Sequence, residues 1–597
     1  MPAPTLLLMA PTPEHPFDLY TEELLLTEGY GALDRLVGGP EGAPLELAPS
    51  YALAVISAGA ARLLPAEVLR AYLDAGGRAI VLRPPRHLAP VLGLQEVGET
   101  YSVARDAYVA VNTEHRWMEG IAAADLQCPG ETDVYRADGA EALAFVAGQL
   151  GLASAFPAVA LHRIGAGAAV TFTYDLARAV VEFHQGRPAN DDPGQDPDAN
   201  RDGKLCPDDF VEGLRDFSLR HVPQADVHQD ILTRAIVGLT AEALPIPRLW
   251  HLPNAAPAAF MVNGDGDGML WDDLQWVLDT IEPYGVKYTF YLTKQQIQAF
   301  SADEVCAVRA RGHDFGPHPW AGLRPTVTEW EHEIGRIVES FAGKFGFFPT
   351  SYRSHCMIFP GWDEAPRIAA ESGLRLDTNF VSGVRFVSGY ANGSALPVKF
   401  INSAGEIVDC YEQSTVHTED GCMGSKYLLP PLAQDECIEL SRGIISDLCT
   451  RYHGVYHPYF HPISLTGRGE VECARWFVEV LEEVRRRGLP SVTADEWLQF
   501  NDARRSFWFE DIIWDEPTLD LTVSSPETIC GLTILLPPCR GQMPCVAAVD
   551  GEVVEPTQVC FEGLLWTALV LDMGAGEMRR VTVDYGPCPE GQAGEAR

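Results

Sequence analysis

Basic residues are scarce in this chain of 597 residues. Its 44 lysines and arginines stand against 83 aspartates and glutamates, which gives a formal net charge of −39. Partners that carry phosphate groups are bound through basic surfaces. The composition therefore argues against nucleic acid and anionic membranes as partners, and it is compatible with neutral or cationic substrates.

Long apolar runs are also missing. No segment approaches the roughly 20 apolar residues that a membrane-spanning helix needs. The opening stretch, MPAPTLLLMAPTPEHPFD, lacks the basic region that begins a signal peptide. We therefore expect no membrane span and no signal peptide, and a cytoplasmic location unless an exported form has been trimmed. The oligomeric state is not indicated.

Paired cysteine motifs, a dinucleotide-binding G-x-G-x-x-G and internal repeats are absent as well. The 14 cysteines are scattered, and four of them crowd a short C-terminal region. Disulfide bonds between these cysteines are one interpretation, and free buried thiols are the favoured one. The four residues are Cys530, Cys539, Cys545 and Cys560.

The chain is too long for one hydrophobic core, and residues 1–250 predict a doubly wound, flavodoxin-like α/β domain. Apolar runs at 4–9, 51–57 and 79–83 have strand character, and a helical pattern that ends in Gly-Gly separates the last two. "LAVISAGAARLLPAEVLRAYLDAGGRAIVL" resembles the class I glutamine-amidotransferase-like domains. That family uses a cysteine nucleophile at a strand-to-helix turn. Since the first cysteine is Cys128, beyond this unit, the resemblance implies the fold without the family's chemistry.

An acidic loop near residue 200 fits the pattern D-x-N-x-D-G-x-L-x-x-x-D. Oxygen ligands two residues apart, a glycine at the bend and a late carboxylate are what a calcium loop needs. A solvated acidic loop is the alternative. The candidate calcium ligands are Asp198, Asn200, Asp202, Lys204 and Asp209.

A Pro-rich stretch near residue 250 predicts a linker. A second α/β domain is expected over 251–505. Residues 506–597 contain short alternating β-rich runs between turn residues, which predict a small β-sandwich with a disordered tail.

The middle domain opens on "MVNGDGDG", residues 261–268, which ends an apolar run with two acids and three glycines. A helical pattern follows, so Asp265 and Asp267 come at the carboxyl end of a strand, where α/β folds build their sites. A calcium loop, a phosphate cradle and a catalytic acid pair are all compatible with these residues alone.

Three histidine-bearing segments follow. They are "RGHDFGPHPW" with His318, "SYRSHCMIFPGW" with Arg353 and His355, and "VYHPYFHP" with His457 and His461. Carboxylates and neutral imidazoles with an open position for water are the ligand set of a catalytic zinc or similar divalent ion.

The segment 255–500, about two-fifths of the chain, resembles the NodB-type polysaccharide deacetylases, whose fold is a distorted (β/α) barrel. Their T-F-D-D-G motif corresponds to "NGDGDG", "GHEIGNHTxxH" to "GHDFGPHPWAG", and a late Leu-x-His motif to "YFHP". The resemblance implies Asp267 and His318 as metal ligands. It implies Asp265 as the general base, His461 as the general acid, and Arg353 as the residue that orients or tunes Asp265.

Two departures change the expected site. The position of the family's second metal histidine is Gly322, and the acid pair is D-G-D instead of D-D. Because His355 adjoins the motif arginine, we expect the triad Asp267, His318 and His355 to bind the ion.

The implied activity is the metal-dependent deacetylation of an N-acetylated carbohydrate or polysaccharide. The alternatives are a carbohydrate-binding protein with a degenerate barrel, and a metallohydrolase that acts on a non-carbohydrate C–N bond. Aromatic and polar side chains near the motifs are candidate substrate contacts, although core positions are the alternative for the tryptophans. These candidates are Trp320, Trp362, His417 and His457.

Overall fold

The computed structural model describes residues 4–38, 47–48, 50–98, 103–187, 197–199, 201–211, 214–381, 388–390, 392–424 and 431–587. The chain forms two compact units. The first comprises residues 1–181, 227–255 and 500–597, and the second comprises 182–226 and 256–499. The segments at the two ends therefore share one unit, and the expected division into domains 1–250, 251–505 and 506–597 stays a prediction. The predicted disordered tail lies outside the described residues after Pro587.

The N-terminal part of the first unit is a nine-stranded mixed sheet in the order β2-β1-β3-β4-β11-β10-β9-β6-β7. The first five of these strands pair in parallel, and the rest pair antiparallel. The strands of this sheet are β1 (Thr5–Met9), β2 (Leu33–Val37), β3 (Leu53–Ile56), β4 (Arg78–Leu82), β6 (Val103–Val111), β7 (Asp125–Asp133), β9 (Glu141–Ala147), β10 (Ala153–Ile164) and β11 (Gly167–Phe172). Two further strands, β5 (Leu94–Glu96) and β8 (Tyr135–Ala137), pair with each other, and β12 (Arg248–Leu249) pairs with a C-terminal strand. The helices up to residue 240 are α1 (Tyr20–Thr27), α2 (Ala58–Leu63), α3 (Ala66–Asp74), α4 (Leu176–His184), α5 (Asp208–Val211) and α6 (Gln224–Thr240).

The apolar runs of this region form the predicted strands because parallel strands are buried on both faces and need continuous apolar sequence. All residues of β1 and β3 are buried. Leu69 and Leu73 of α3 pack in the same core. Cys128 lies within β7 and not at a strand-to-helix turn. The amidotransferase-like identity of this sheet stays a prediction.

The second unit alternates short parallel strands with helices. Its sheets have the orders β16-β15-β14-β23-β21, β17-β18-β20-β19 and β13-β22, in which only β19 runs antiparallel. The strands are β13 (Ala259–Phe260), β14 (Asn263–Asp265), β15 (Thr289–Leu292), β16 (Asp314–Pro317), β17 (Ser351–Tyr352), β18 (Leu376–Asp377), β19 (Val398–Ile401), β20 (Ile407–Glu412), β21 (His417–Thr418), β22 (Val455–Tyr456) and β23 (Pro458–Tyr459). The helices are α7 (Trp271–Ile281), α8 (Lys294–Ala299), α9 (Ala302–Ala310), α10 (Val327–Phe345), α11 (Glu364–Glu371), α12 (Glu419–Met423), α13 (Gln434–Asp447), α14 (Pro462–Leu465), α15 (Ala474–Arg487) and α16 (Ala494–Arg505).

The C-terminal part of the first unit consists of two antiparallel sheets, β24-β25-β31-β27-β28 and β12-β26-β30-β29. Apolar residues from both sheets share one core, and β25 alternates buried and half-buried positions as its sequence predicts. The strands are β24 (Trp508–Asp515), β25 (Thr518–Ser525), β26 (Ile529–Leu536), β27 (Gln542–Val549), β28 (Glu552–Val554), β29 (Thr557–Phe561), β30 (Leu564–Met573) and β31 (Glu577–Pro587). A mixed α/β, multi-sheet fold is thus confirmed, whereas the barrel and sandwich names stay predictions.

Cys530, Cys539, Cys545 and Cys560 are free thiols in the structure, and Cys588 lies outside the described residues. Cys539 is buried, but Cys530, Cys545 and Cys560 are exposed, which corrects the expectation that all four are buried. Their alternating strand positions turn these thiols towards solvent.

Candidate active site

The candidate catalytic residues lie where parallel strands end. Asp265 is the last residue of β14, and His318 and Arg353 directly follow β16 and β17. His461 lies two residues after β23. Because β14, β15, β16 and β23 run in parallel, their carboxyl ends lie at one edge of a sheet, which is where α/β folds collect functional side chains.

The glycines of "NGDGDG" are required by close packing and by backbone geometry. A Cβ at Gly264 would lie 1.9 Å from the carbonyl oxygen of Phe460. Gly268 has a φ of 64°, in the left-handed region that disfavours other residues. The sharp turn after β14 therefore depends on glycine, and it directs Asp265 and Asp267 into the same cavity.

Asp267, His318 and His355 converge, although 88 residues separate the first from the last. Asp267 Oδ2 lies 2.9 Å from His355 Nδ1 and 3.4 Å from His318 Nε2, and the two imidazole nitrogens are 3.3 Å apart. Tetrahedral ligands with bonds of about 2.0–2.1 Å to one ion have such mutual distances. His318 Nδ1 faces the carbonyl oxygen of Arg353 at 2.7 Å, which orients the ring and leaves Nε2 for a metal ion.

The charges of these groups suit a cation. Burial raises the pKa of the Asp267 carboxyl, but hydrogen bonds from His318 and His355 outweigh burial and hold that pKa well below its usual range. The hydrogen bond to Asp267 raises the pKa of His355 to about 10. A metal ion at this point would displace the proton between them, because an imidazole nitrogen binds metal only when it is deprotonated.

Asp265 lies beside this triad, with its Oδ2 3.5 Å from His318 Nε2. It is only 3% exposed, and its Oδ2 accepts a hydrogen bond of 3.0 Å from the hydroxyl of Tyr459. Among the described residues, no group donates to its other oxygen, Oδ1. Asp265 is thus a buried carboxylate that lines the cavity, and its Oδ1 is a buried oxygen without a hydrogen-bond partner among the described residues.

Arg353 contacts Tyr459, and its hydrogen bonds go to residues other than Asp265. Its guanidinium lies 4.4 Å from the centre of the Tyr459 ring, and it donates to the carbonyl oxygen of Thr378 and the hydroxyl of Thr415. Arg353 therefore contacts the residue that donates to Asp265, and its effect on Asp265 stays a prediction.

His461 is held by Glu419. Glu419 Oε1 lies 2.5 Å from His461 Nδ1 and accepts a 3.1 Å hydrogen bond from its backbone N–H. Burial disfavours the charged ring, but the neighbouring carboxylates, Glu419 most and then Asp420 and Asp265, together outweigh burial and raise the pKa of His461 to about 10. His461 Nε2 also hydrogen-bonds to the hydroxyl of Tyr459, which links Glu419, His461, Tyr459 and Asp265 in one chain of contacts.

Three of the expected substrate contacts are instead core residues. His417 and His457 are fully buried; His417 bonds to Tyr456, and His457 bonds to Asn263 and Ser414. The indole N–H of Trp362 donates to the carbonyl oxygens of Gln185 and Gly186.

Trp320 lies nearer to the site. It is 43% exposed, and its ring meets the His355 ring edge-on with centroids 4.7 Å apart. Trp320 therefore adjoins a candidate ligand from the solvent side.

The site residues line a cavity of about 240 Å³. Asp265, Asp267, His355 and His461 lie on its wall. The wall also includes residues that the sequence analysis did not place in the site. Apart from their polar or reactive side chains, nothing in the sequence pattern indicates them. They are Cys206, Pro207, Asp208, Cys356, Met357, Asn379, Val381, Thr418, Asp420, Gly421 and Tyr459, and with them Lys204, which was expected in a calcium loop.

The acidic carboxylates near residue 200 cap their own loop. Asp198 is buried and accepts hydrogen bonds of 3.0 Å from the backbone N–H groups of Asp202 and Gly203. Asp209 accepts one of 3.0 Å from that of Cys206. Asn200 lies outside the described residues, and within those described no metal-ligand cluster includes this loop. The calcium loop therefore stays a prediction.

A further acidic cluster, Glu28, Asp230 and Glu562, is fully buried in the first unit. Arg248 bonds to Glu28 at 2.6 Å and to Glu562 at 2.5 Å. The guanidinium supplies the positive charge there, so this cluster is an internal ion-pair network. Within the described part of the chain, no helix is both long and apolar enough to cross a membrane.

No family model and no curated protein sequence matches this chain. Among solved structures, it is similar to a family 4 carbohydrate esterase from Streptomyces lividans in complex with acetate, with 12% identity over 40% of this chain and 93% of the other, at a TM-score of 0.25. It is similar to the allantoinase Puue, with 12% identity over 42% of this chain and 91% of the other, at a TM-score of 0.33.

The chain is also similar to a β-galactosidase from Rahnella sp. R3, with 18% identity over 29% of this chain and a TM-score of 0.22. It spans only 28% of that β-galactosidase. Because their TM-scores are below 0.5, these similarities do not indicate a function. The function is therefore inferred from the residues of the site.

Proposed function

We propose that this protein is a metal-dependent hydrolase that deacetylates an N-acetylated carbohydrate. The observation that carries the proposal is the convergence of Asp267, His318 and His355 on one point beside the buried carboxylate of Asp265. One carboxylate and two imidazoles with an open position form the ligand set of a catalytic zinc-like ion. When bound, such an ion polarises a carbonyl group and lowers the pKa of water.

The chain's own residues supply the proton transfers. Asp265 lines the cavity, and its carboxylate would accept a proton from the attacking water. As the water oxygen bonds to the acyl carbon and the C–N bond breaks, the departing amine needs a proton. His461 can donate it, because Glu419 raises the pKa of His461 to about 10 and keeps the ring charged.

Tyr459 connects the two groups after turnover. Its hydroxyl bonds to both Asp265 and His461, and burial raises its pKa well above the usual value, so it keeps its proton. A proton gained by Asp265 can therefore return to His461 through this hydroxyl, which restores the starting state without an added reagent.

Metal content and acetate release test the proposal together. We expect about one zinc-like ion per purified chain, and we expect His318→Ala to lose both the ion and the activity. His332→Ala is the matched control, since His332 is an exposed residue of α10. A wild-type protein that binds no divalent ion, or that binds an acetamido sugar without releasing acetate, would support the non-catalytic binding protein instead.

A further inference from the structure

The candidate site is covered by a segment from far upstream in the sequence. Residues 201–209, here called the strap, belong to the same compact unit as the site. Four residues of the strap line the cavity together with Asp267 and His355. They are Lys204, Cys206, Pro207 and Asp208.

The strap is fixed between the two loops that carry the candidate histidine ligands. The backbone N–H of Leu205 donates to the carbonyl oxygen of Leu323 at 2.9 Å, and the N–H of Phe359 donates to the carbonyl oxygen of Leu205 at 2.9 Å. Leu323 follows His318, and Phe359 follows His355. One residue of the strap therefore joins the rims of both loops.

The strap is also held by hydrogen bonds to two buried carboxylates. Two buried carboxylates hold its ends, Asp198 through the N–H groups of Asp202 and Gly203, and Asp209 through that of Cys206. Phe210 is buried next to the strap and packs against Phe359, with ring centroids 6.1 Å apart. Buried hydrogen-bonded carboxylates and aromatic packing fix the position of a loop, so the strap forms a wall of the site.

The resulting cavity is small. Its volume of about 240 Å³ lies below the roughly 300–1,000 Å³ of pockets that hold drug-sized ligands. An internal residue of a polymer also needs space on both sides for the chain to enter and leave, and the strap occupies the rim between the loops after β16 and β17.

We propose that the strap restricts this enzyme to a small, single-unit amide, such as a monomeric N-acetylated sugar or a compound of similar size, and excludes polysaccharide chains. The choice of an acylated amine as substrate rests on the proposed function. The exclusion of large substrates rests on the position of the strap, and it can be measured separately from the deacetylase activity.

Access to the cavity is tested by alkylation of Cys356, which lines it. We expect iodoacetamide, itself a small amide, to modify Cys356, and a maleimide carrying a long polyethylene glycol chain to leave it unmodified. Exposed Cys306 should react with both reagents and serves as the internal control. Peptide mass mapping assigns the modified residue.

Loosening the strap should admit the large reagent. Asp198→Ala removes the acceptor of two backbone hydrogen bonds, and we expect this variant to gain labelling of Cys356 by the polymer-linked maleimide. Arg201→Ala is the matched control, because Arg201 is exposed on the same loop. Wild-type Cys356 that reacts with the large reagent as fast as Cys306 does, or that resists iodoacetamide, overturns the exclusion.

The rate of acetate release from a small and a large substrate provides a second test of the size limit. We expect kcat/KM for N-acetylglucosamine to exceed that for a chitin oligosaccharide by about 10²-fold, the usual loss for a misplaced substrate, and we expect Asp198→Ala to narrow this ratio. Equal rates on both substrates overturn the proposal. If neither substrate reacts while the labelling pattern holds, deacetylation of sugars is wrong and the exclusion of large molecules by size stands.

Discussion

Glu419 sets the charge of His461, and Glu419→Gln isolates that effect. The side chain is fully buried and lies 2.5 Å from the imidazole, so the amide keeps the shape while it removes the negative charge. Burial lowers the pKa of His461, and the neighbouring carboxylates, of which Glu419 contributes most, raise it from the ordinary 6.5 to about 10. This rise favours the charged ring by about 5 kcal/mol, at about 1.4 kcal/mol per pKa unit.

We expect His461 to be mostly neutral in the variant at about pH 7, because burial then acts with less opposition. Loss of the general acid should lower turnover by about 10²–10⁴-fold. The alkaline limb of the pH profile should move to lower pH, so that activity partly returns as the pH falls. Acetate release across the pH range measures the limb, and the NMR shift of the His461 ring follows its charge without any substrate.

The Glu419–His461 pair also makes the stability of the fold depend on pH. The pKa of His461 is higher in the folded chain than its ordinary 6.5, so the pair stabilises the fold fully below about pH 6.5 and loses that contribution as the pH rises towards about 10. The stability gap between wild type and Glu419→Gln should shrink over this window. Asp420→Asn is the graded control, because Asp420 raises the pKa of His461 less than Glu419 does. A variant with wild-type turnover and an unmoved alkaline limb refutes the reasoning.

Three further substitutions test other parts of the chain. Asp265→Asn should lower turnover by about 10²–10⁴-fold with unchanged metal content; near-native acetate release would mean that another group is the base. Burial, with Asp495 nearby, raises the pKa of Asp314 from 3.8 to about 7, so its ionisation costs stability as the pH rises through that window. Asp314→Asn should therefore gain in melting temperature over wild type between about pH 4 and pH 8, and a constant difference contradicts this. Arg248→Met leaves Glu28 and Glu562 buried without their cation and should lower the free energy of unfolding in urea by about 3–5 kcal/mol; a change below about 1 kcal/mol would show that the network is not essential.

The candidate ligands could be anticipated because they follow directly after short strands. Asp265 ends β14, and His318 follows β16. In a parallel arrangement such positions meet at one edge, so residue type and strand pattern together indicate the site. His355 could be expected in place of the histidine that is missing at position 322, because the loops that contain these two positions follow neighbouring strands, β16 and β17.

The partners of these residues could not be anticipated. Tyr459 lies between Asp265 and His461, and Glu419 holds His461, yet no spacing rule relates the four. His417 and His457 were also candidates for the site, because a histidine can bind substrate. The structure instead buries both in the core, where they form hydrogen bonds. Whether a histidine faces a cavity or the core depends on a single step along a strand, because neighbouring side chains point to opposite sides.

The sequence by itself determined the mixed α/β character, the strand-end acids and histidines, and the glycines that the turn after Asp265 demands, since each of these depends on local pattern and backbone geometry. Only the tertiary structure decided that the acidic loop near residue 200 lines the cavity, that Arg353 contacts Tyr459, and how little space remains for a substrate. These features arise between segments that are distant in sequence, where side-chain packing, and not local propensity, sets which groups meet.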